Sequence, residues 1–181
     1  MRFCNEYNLG DIVSIVSTIF ILLGGLFTFM QWKKSVRIKR AEYINELTEK
    51  IRTDIDIKNI IYLFEYGKKW YSKEFHGSGQ LECQVDKTLS YFSYICYLRK
   101  QHIISKKEFM FFKYELEHLL MNIQVLDYLY NIYHYANSIN EPLTFYYLFN
   151  YGEENHLFSD SFYDPNSWKR MDTCFNKNLN F

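Results

Sequence analysis

The sequence has only two prolines and seven glycines, below the average usage of about 5% and about 7%. With so few breakers, long uninterrupted helices are expected rather than many short elements joined by tight turns. There is no net charge: 21 basic residues balance 21 acidic ones. A nucleic-acid-binding domain normally carries a basic excess, so no direct nucleic-acid binding is expected. None of the four cysteines, Cys4, Cys83, Cys96 and Cys174, stands in a C-x-x-C pair, which argues against a zinc ribbon. There is no H-E-x-x-H and no G-x-S-x-G, and the loop His76-Gly77-Ser78-Gly79 lacks the lysine of a phosphate loop. The arginine–histidine spacing of small helical ribonucleases is also missing, Arg99 and His102 standing too close together. No catalytic residue, cofactor site or metal site is assigned.

What the sequence does contain is an uncharged apolar run. Between Asp11 and Lys33 no ionisable residue occurs. At about 1.5 Å of rise per residue, residues 12–32 make a helix of roughly 30 Å, the thickness of a bilayer's hydrocarbon core. The core helix of a soluble protein rarely keeps more than about 18 apolar residues free of charge. A cleaved signal peptide has an apolar region of about 7–15 residues with positive charge ahead of it. Here the run is longer and the charge order is reversed: Lys33, Lys34, Arg37, Lys39 and Arg40 follow it, while Arg2, Glu6 and Asp11 precede it. Translocating Lys and Arg is disfavoured, so these five basic residues set the topology. The expectation is a single-pass membrane protein, with residues 1–11 outside and everything after Lys33 in the cytoplasm. Trp32 falls at headgroup level, and the basic cluster can attract anionic lipid.

The same run carries a packing pattern. At 100° per residue, Ser14, Ser17, Thr18, Gly24, Gly25 and Thr28 fall in one arc of roughly 120°, with Ile21 among them as a knob. Ile15, Val16, Ile19, Leu23, Leu26, Phe27 and Met30 take the opposite side. Small residues let helix backbones approach closely and hydroxyls can hydrogen-bond across the contact, so self-association of the membrane helix is expected. On the outer side Cys4 would be free to form an intermolecular disulfide, to remain a thiol or to be acylated.

After the anchor, helical spacing dominates. Val36, Ile44, Leu47 and Ile51 continue the first helix to about Thr53, where it either runs on or breaks at a hinge. Ile57, Ile60, Ile61 and Phe64 form the next apolar face, ending near Gly67. Asp54 and Asp56 read as surface carboxylates, since helical residues two apart diverge. Lys68-Lys69-Trp70-Tyr71 reads as aromatics closing over a helix end. Leu81 to Arg99 is a helix with Val85, Leu89, Phe92 and Cys96 on one face. Ser105-Lys106-Lys107-Glu108 is a capping box, with Ile104 and Phe109 as its hydrophobic staple, and the short link before it predicts an antiparallel pair. The helix that follows is expected to be long, through Phe109, Phe112, Leu116, Leu119, Ile123, Leu126, Tyr130 and Tyr133 to about Asn137. Asn140-Glu141-Pro142 signals a further start, with a short helix to Asn150 and a stop at Gly152.

The last residues lose the periodicity, and Phe158, Phe162, Tyr163, Trp168 and Phe175 are the candidates to pin them. Two E-x-x-H pairs, Glu115 with His118 and Glu153 with His156, have the spacing of di-iron bundles, but further inward-facing glutamates are missing. Tyr91-Phe92-Ser93-Tyr94 and the series Tyr128, Tyr130, Tyr133, Tyr135 read as packing rather than as a stacking platform.

The basic membrane flank, the long charged helix, Asp86-x-x-Leu89-x-x-Phe92-x-x-Ile95 and Ile103-Ile104-Ser105 opening another helix together resemble small bacterial membrane proteins. These have one N-terminal membrane helix and a cytoplasmic helical domain. The resemblance covers about residues 33–152. It implies a bacterial source, and it implies that a membrane-acting effector role, as in antiviral defence, suits the layout.

The expected fold class is therefore all-α: an extracytoplasmic tail (1–11), a transmembrane helix (12–32), a cytoplasmic antiparallel helical bundle (33–152) and an aromatic tail (153–181). The expected function is a membrane-anchored interaction or effector subunit whose partners are the lipid bilayer, a second copy and a cytoplasmic protein. A helical-bundle enzyme, with or without a metal, and a passive tether are the alternatives.

Overall fold

A computed structural model describes residues 8–66, 69–72, 75–77, 79–164 and 166. Cys4, Gly67, Lys68, Ser78, Trp168, Cys174 and Phe175, which figure in the expectations above, lie outside the described residues. The fold is all-α, with six α-helices and no strand among the described residues. The chain divides into two compact units, Met1–Glu46 and Leu47–Phe181.

Helix α1 runs Leu9–Thr53 without interruption. Throughout the first unit the apolar residues from Ile12 to Trp32 are exposed. The helix does stop near Thr53. Asp54 leaves the helical region (φ −71°, ψ 113°) and its carboxylate accepts the backbone N–H groups of Asp56 and Ile57, at 3.1 and 3.3 Å. Those are two of the donors that every helix start leaves without a partner, so Asp54 both ends α1 and begins α2 (Ile55–Glu65).

The second unit is built on that short helix. α2 buries Ile57, Ile60 and Phe64, one side of three turns. α3 (Gln80–Lys100) buries Val85, Leu89, Phe92 and Cys96 as the spacing predicts, with Ile95 and Leu98 widening the face. α3 packs against α2, α4 and α6, which makes it the central element of the unit. The predicted capping box opens α4 (Lys106–Met121): the Ser105 N–H donates to Glu108 Oε2 at 2.7 Å and the Glu108 N–H donates to Ser105 Oγ at 3.3 Å.

The long helix predicted from Ser105 to Asn137 is in fact two. Asn122 takes extended backbone (ψ 124°) and caps α5 (Ile123–Ile139), its Oδ1 accepting from the N–H groups of Gln124 and Val125. Its Nδ2 also donates to the Phe64 carbonyl at the end of α2, at 2.9 Å. The break changes the buried face: Ile123 is exposed, and Val125, Tyr128, Leu129, Ile132 and Ala136 are buried instead.

The next boundary also differs from expectation. Asn140 is a left-handed stop (φ 57°) whose N–H returns to the Ala136 carbonyl, not a helix start. α6 begins only at Tyr146 and runs to Glu154, so Gly152 sits inside it rather than ending it. The reason for the glycine is close approach: a Cβ at 152 would stand 2.2 Å from the Phe158 ring.

Beyond α6 a 3-10 turn, Asp160–Phe162, brings Phe158 and Phe162 into the core with their rings stacked at 4.5 Å. The Phe162 carbonyl lies 2.7 Å from His134 Nε2. The first part of the aromatic tail is therefore docked on α5 and α6.

Candidate membrane helix and interaction face

From Ile12, α1 contains a stretch apolar and long enough to cross a bilayer by length and composition, and none of that stretch is buried within the protein. Ser14, Ser17, Thr18, Gly24, Gly25 and Thr28 all lie in this exposed, continuous helix. Nothing approaches within 4 Å of where a Cβ would stand at Gly24 or Gly25. Two of the threonines bond back along their own helix: Thr18 Oγ1 donates to the Ser14 carbonyl and Thr28 Oγ1 to the Gly24 carbonyl, each at 2.8 Å. Lys33, Lys34, Arg37, Lys39 and Arg40 follow on the same helix, all exposed, and the Phe29 and Trp32 rings meet at 5.9 Å where the apolar stretch ends.

In the second unit, α4 has a feature that one-sided periodicity overlooks. Its buried residues, Phe109, Phe112, Leu116, Leu119 and Leu120, fall in one arc of about 100° at 100° per residue. Met110, Phe111, Tyr114 and Met121 are 60%, 65%, 67% and 63% exposed. By the same spacing they fill a second arc of about 100°, centred about 180° from the first. A helix apolar on two opposite sides belongs between two layers, and among the described residues only one layer is present. The signal was in the sequence as an excess: KEFMFFKYELEHLLM has more large apolar residues than one face can hold.

The polar groups around the buried His76 form a connected chain. Asn131 Nδ2 donates to the Tyr71 hydroxyl at 2.9 Å, and that hydroxyl lies 3.1 Å from His76 Nε2. His76 Nδ1 is 3.3 Å from Glu82 Oε1, while the Gly77 N–H donates to Glu82 Oε2 at 3.1 Å. A neutral His76 satisfies both contacts in one tautomer, with Nδ1–H donating to Glu82 and Nε2 accepting from Tyr71. Burial holds the His76 pKa below its usual value, against the opposing pull of Glu82. Beside this chain the Tyr128 hydroxyl donates to Asp86 Oδ1 at 2.6 Å. Burial raises the Asp86 pKa, the tyrosine's hydrogen bond countering part of the rise. The rings of Trp70, Tyr71, Phe75 and Tyr128 close around the group with centroids 5.2–6.1 Å apart. These contacts bind residues 70–71 and 75–77 to α3 and α5, and they make Trp70, Tyr71 and Tyr128 core residues. The Gln124 side chain fastens the same segment, Oε1 accepting the N–H groups of both Trp70 and Tyr71.

The remaining candidates separate. Asp54 and Asp56 do converge, because Asp54 stands outside the helix: Lys87 Nζ bridges them at 2.9 and 2.7 Å, and Gln84 Nε2 donates to Asp56 at 2.8 Å. The lysine's hydrogen bond is the main cause that lowers the pKa of each carboxylate. Glu115 and His118 lie beside Glu65 and Leu119 where α2 meets α4. His156 is left-handed (φ 53°) beyond the end of α6, so Glu153 and His156 do not keep helical spacing. Among the described residues no three His, Cys, Asp or Glu side chains gather as a metal site would require.

No family model matches the chain, and no curated protein or solved structure matches it.

Proposed function

We propose that this chain is a membrane-anchored interaction module, held in a bacterial inner membrane by residues 12–32 with Lys33, Lys34, Arg37, Lys39 and Arg40 on the cytoplasmic side. The second unit docks a cytoplasmic protein through the outward apolar face of α4. The observation that carries this reading is that face: Met110, Phe111, Tyr114 and Met121 are open to solvent, opposite the side on which α4 joins the core. A passive tether has no use for a second apolar side on the same helix. In the effector version of this role, association through the Ser14, Ser17, Thr18, Gly24, Gly25 and Thr28 side gathers several anchors and perturbs the bilayer.

A photo-crosslinking residue placed at Phe111 in the full-length protein, in membranes, tests the docking face. The expected result is a discrete adduct with one other protein, lost when Tyr114→Glu is added. No adduct, or an intramolecular one to residues 167–181, overturns the reading.

A further inference from the structure

A second feature of the Leu47–Phe181 unit carries its own inference, independent of the anchor. Where α3, α4 and α6 meet, they leave an open cleft of about 530 Å³, within the usual range for small-molecule sites. In a chain with no net charge, this cleft is strongly biased. Arg99, Lys100, Lys106 and Lys113 line it, against Glu154 as the sole carboxylate in the lining. Glu154 is paired to Lys100, and Lys113 reaches Glu117 at the cleft edge at 3.5 Å. Arg99 and Lys106 have no carboxylate partner among the described residues. The Arg99 guanidinium carbon lies instead over the Phe109 ring, 5.9 Å from its centroid. The helix start of α4 does not supply this charge, because Glu108 already closes it. The same lining includes Phe109, Tyr147 and Tyr151. Tyr147 is half-buried against Tyr97, with ring centroids 4.9 Å apart. Tyr151 packs on Phe109 at 5.4 Å, its hydroxyl donating to Glu117 at 3.2 Å.

Two cations without a carboxylate partner among the described residues, in one cleft with tyrosine rings, suit a ligand with several negative charges at one end and a flat ring at the other. We propose that this cleft binds a small phosphorylated ring compound of the nucleotide class, its phosphates on Arg99 and Lys106 and its ring against Tyr147. A phospholipid headgroup shares the phosphate but not the ring, and the two sources are separable by experiment.

The test is isothermal titration of the full-length protein in detergent with adenosine and guanosine mono-, di- and triphosphates, with inorganic pyrophosphate and a short-chain phosphatidylglycerol as comparisons. At least one nucleotide is expected to bind more tightly than pyrophosphate. Arg99→Gln with Lys106→Gln is expected to weaken it about a hundredfold, at about tenfold for each charge-assisted contact. Lys106 is exposed, so Lys106→Gln alone should lose about tenfold with the melting temperature unchanged. That keeps the test valid if the Arg99 variant fails to fold. The proposal is overturned if no nucleotide binds, if pyrophosphate binds as tightly as the best nucleotide, if the phosphatidylglycerol displaces it at equal concentration, or if Lys106→Gln changes nothing.

Discussion

A methyl group at position 152 has nowhere to go. The Phe158 ring stands 2.2 Å from where it would be, and that ring is held by its stack on Phe162. Gly152→Ala should therefore destabilise the protein by about 1–3 kcal/mol, the usual cost of overpacking a tight core, measurable by thermal or denaturant unfolding. His76 supports a prediction in pH. Its folded pKa is depressed by burial below the reference value of 6.5, so the unfolded chain takes up the proton first as pH falls. The stability it contributes is complete above about pH 6.5 and is lost as the pH drops toward the folded value. His134 has the same sign, burial outweighing the Phe162 carbonyl and Asp164. The melting temperature should fall between about pH 7 and about pH 5, and the fall should be shallower in His76→Gln.

The helix boundaries depend on single polar side chains, and Asn122 is the clearest case. Asn122→Ala removes the cap of α5 and the bond to the Phe64 carbonyl together. A loss of about 2 kcal/mol is expected, about 1 from each, read from chemical denaturation. This is also the element that periodicity hid. Leu119, Ile123 and Leu126 continue a plausible helical stripe straight across the break, and only the cap chemistry of one asparagine argues against it. Asn140 misleads in the other direction, since asparagine serves a left-handed helix end as readily as a helix start. Where the signal is local and reciprocal, as in Ser105 and Glu108, or strongly periodic, as from Val85 to Cys96, sequence and structure agree. The contacts that sequence reasoning missed join distant residues: Lys87 to Asp54 and Asp56, Asn131 to Tyr71, Tyr128 to Asp86. No local pattern announces them. The outward face of α4 was legible as a surplus of apolar residues, while the cleft depends on α3, α4 and α6 meeting in space.

At the scale of the whole molecule, the strongest feature is how much apolar surface the fold leaves uncovered along residues 12–32. If lipid covers it, alkaline carbonate washing of membranes should leave the full chain in the pellet, and deletion of residues 12–32 should release it. The open side of α4 adds a second sticky area in the other unit. Removing this apolar segment alone should therefore not yield a well-behaved monomer in aqueous buffer. Light scattering of residues 47–181 should show concentration-dependent clustering, and replacing Phe111 and Tyr114 with glutamate should disperse it. Anyone purifying this protein would meet two separate causes of insolubility, and curing the first would expose the second.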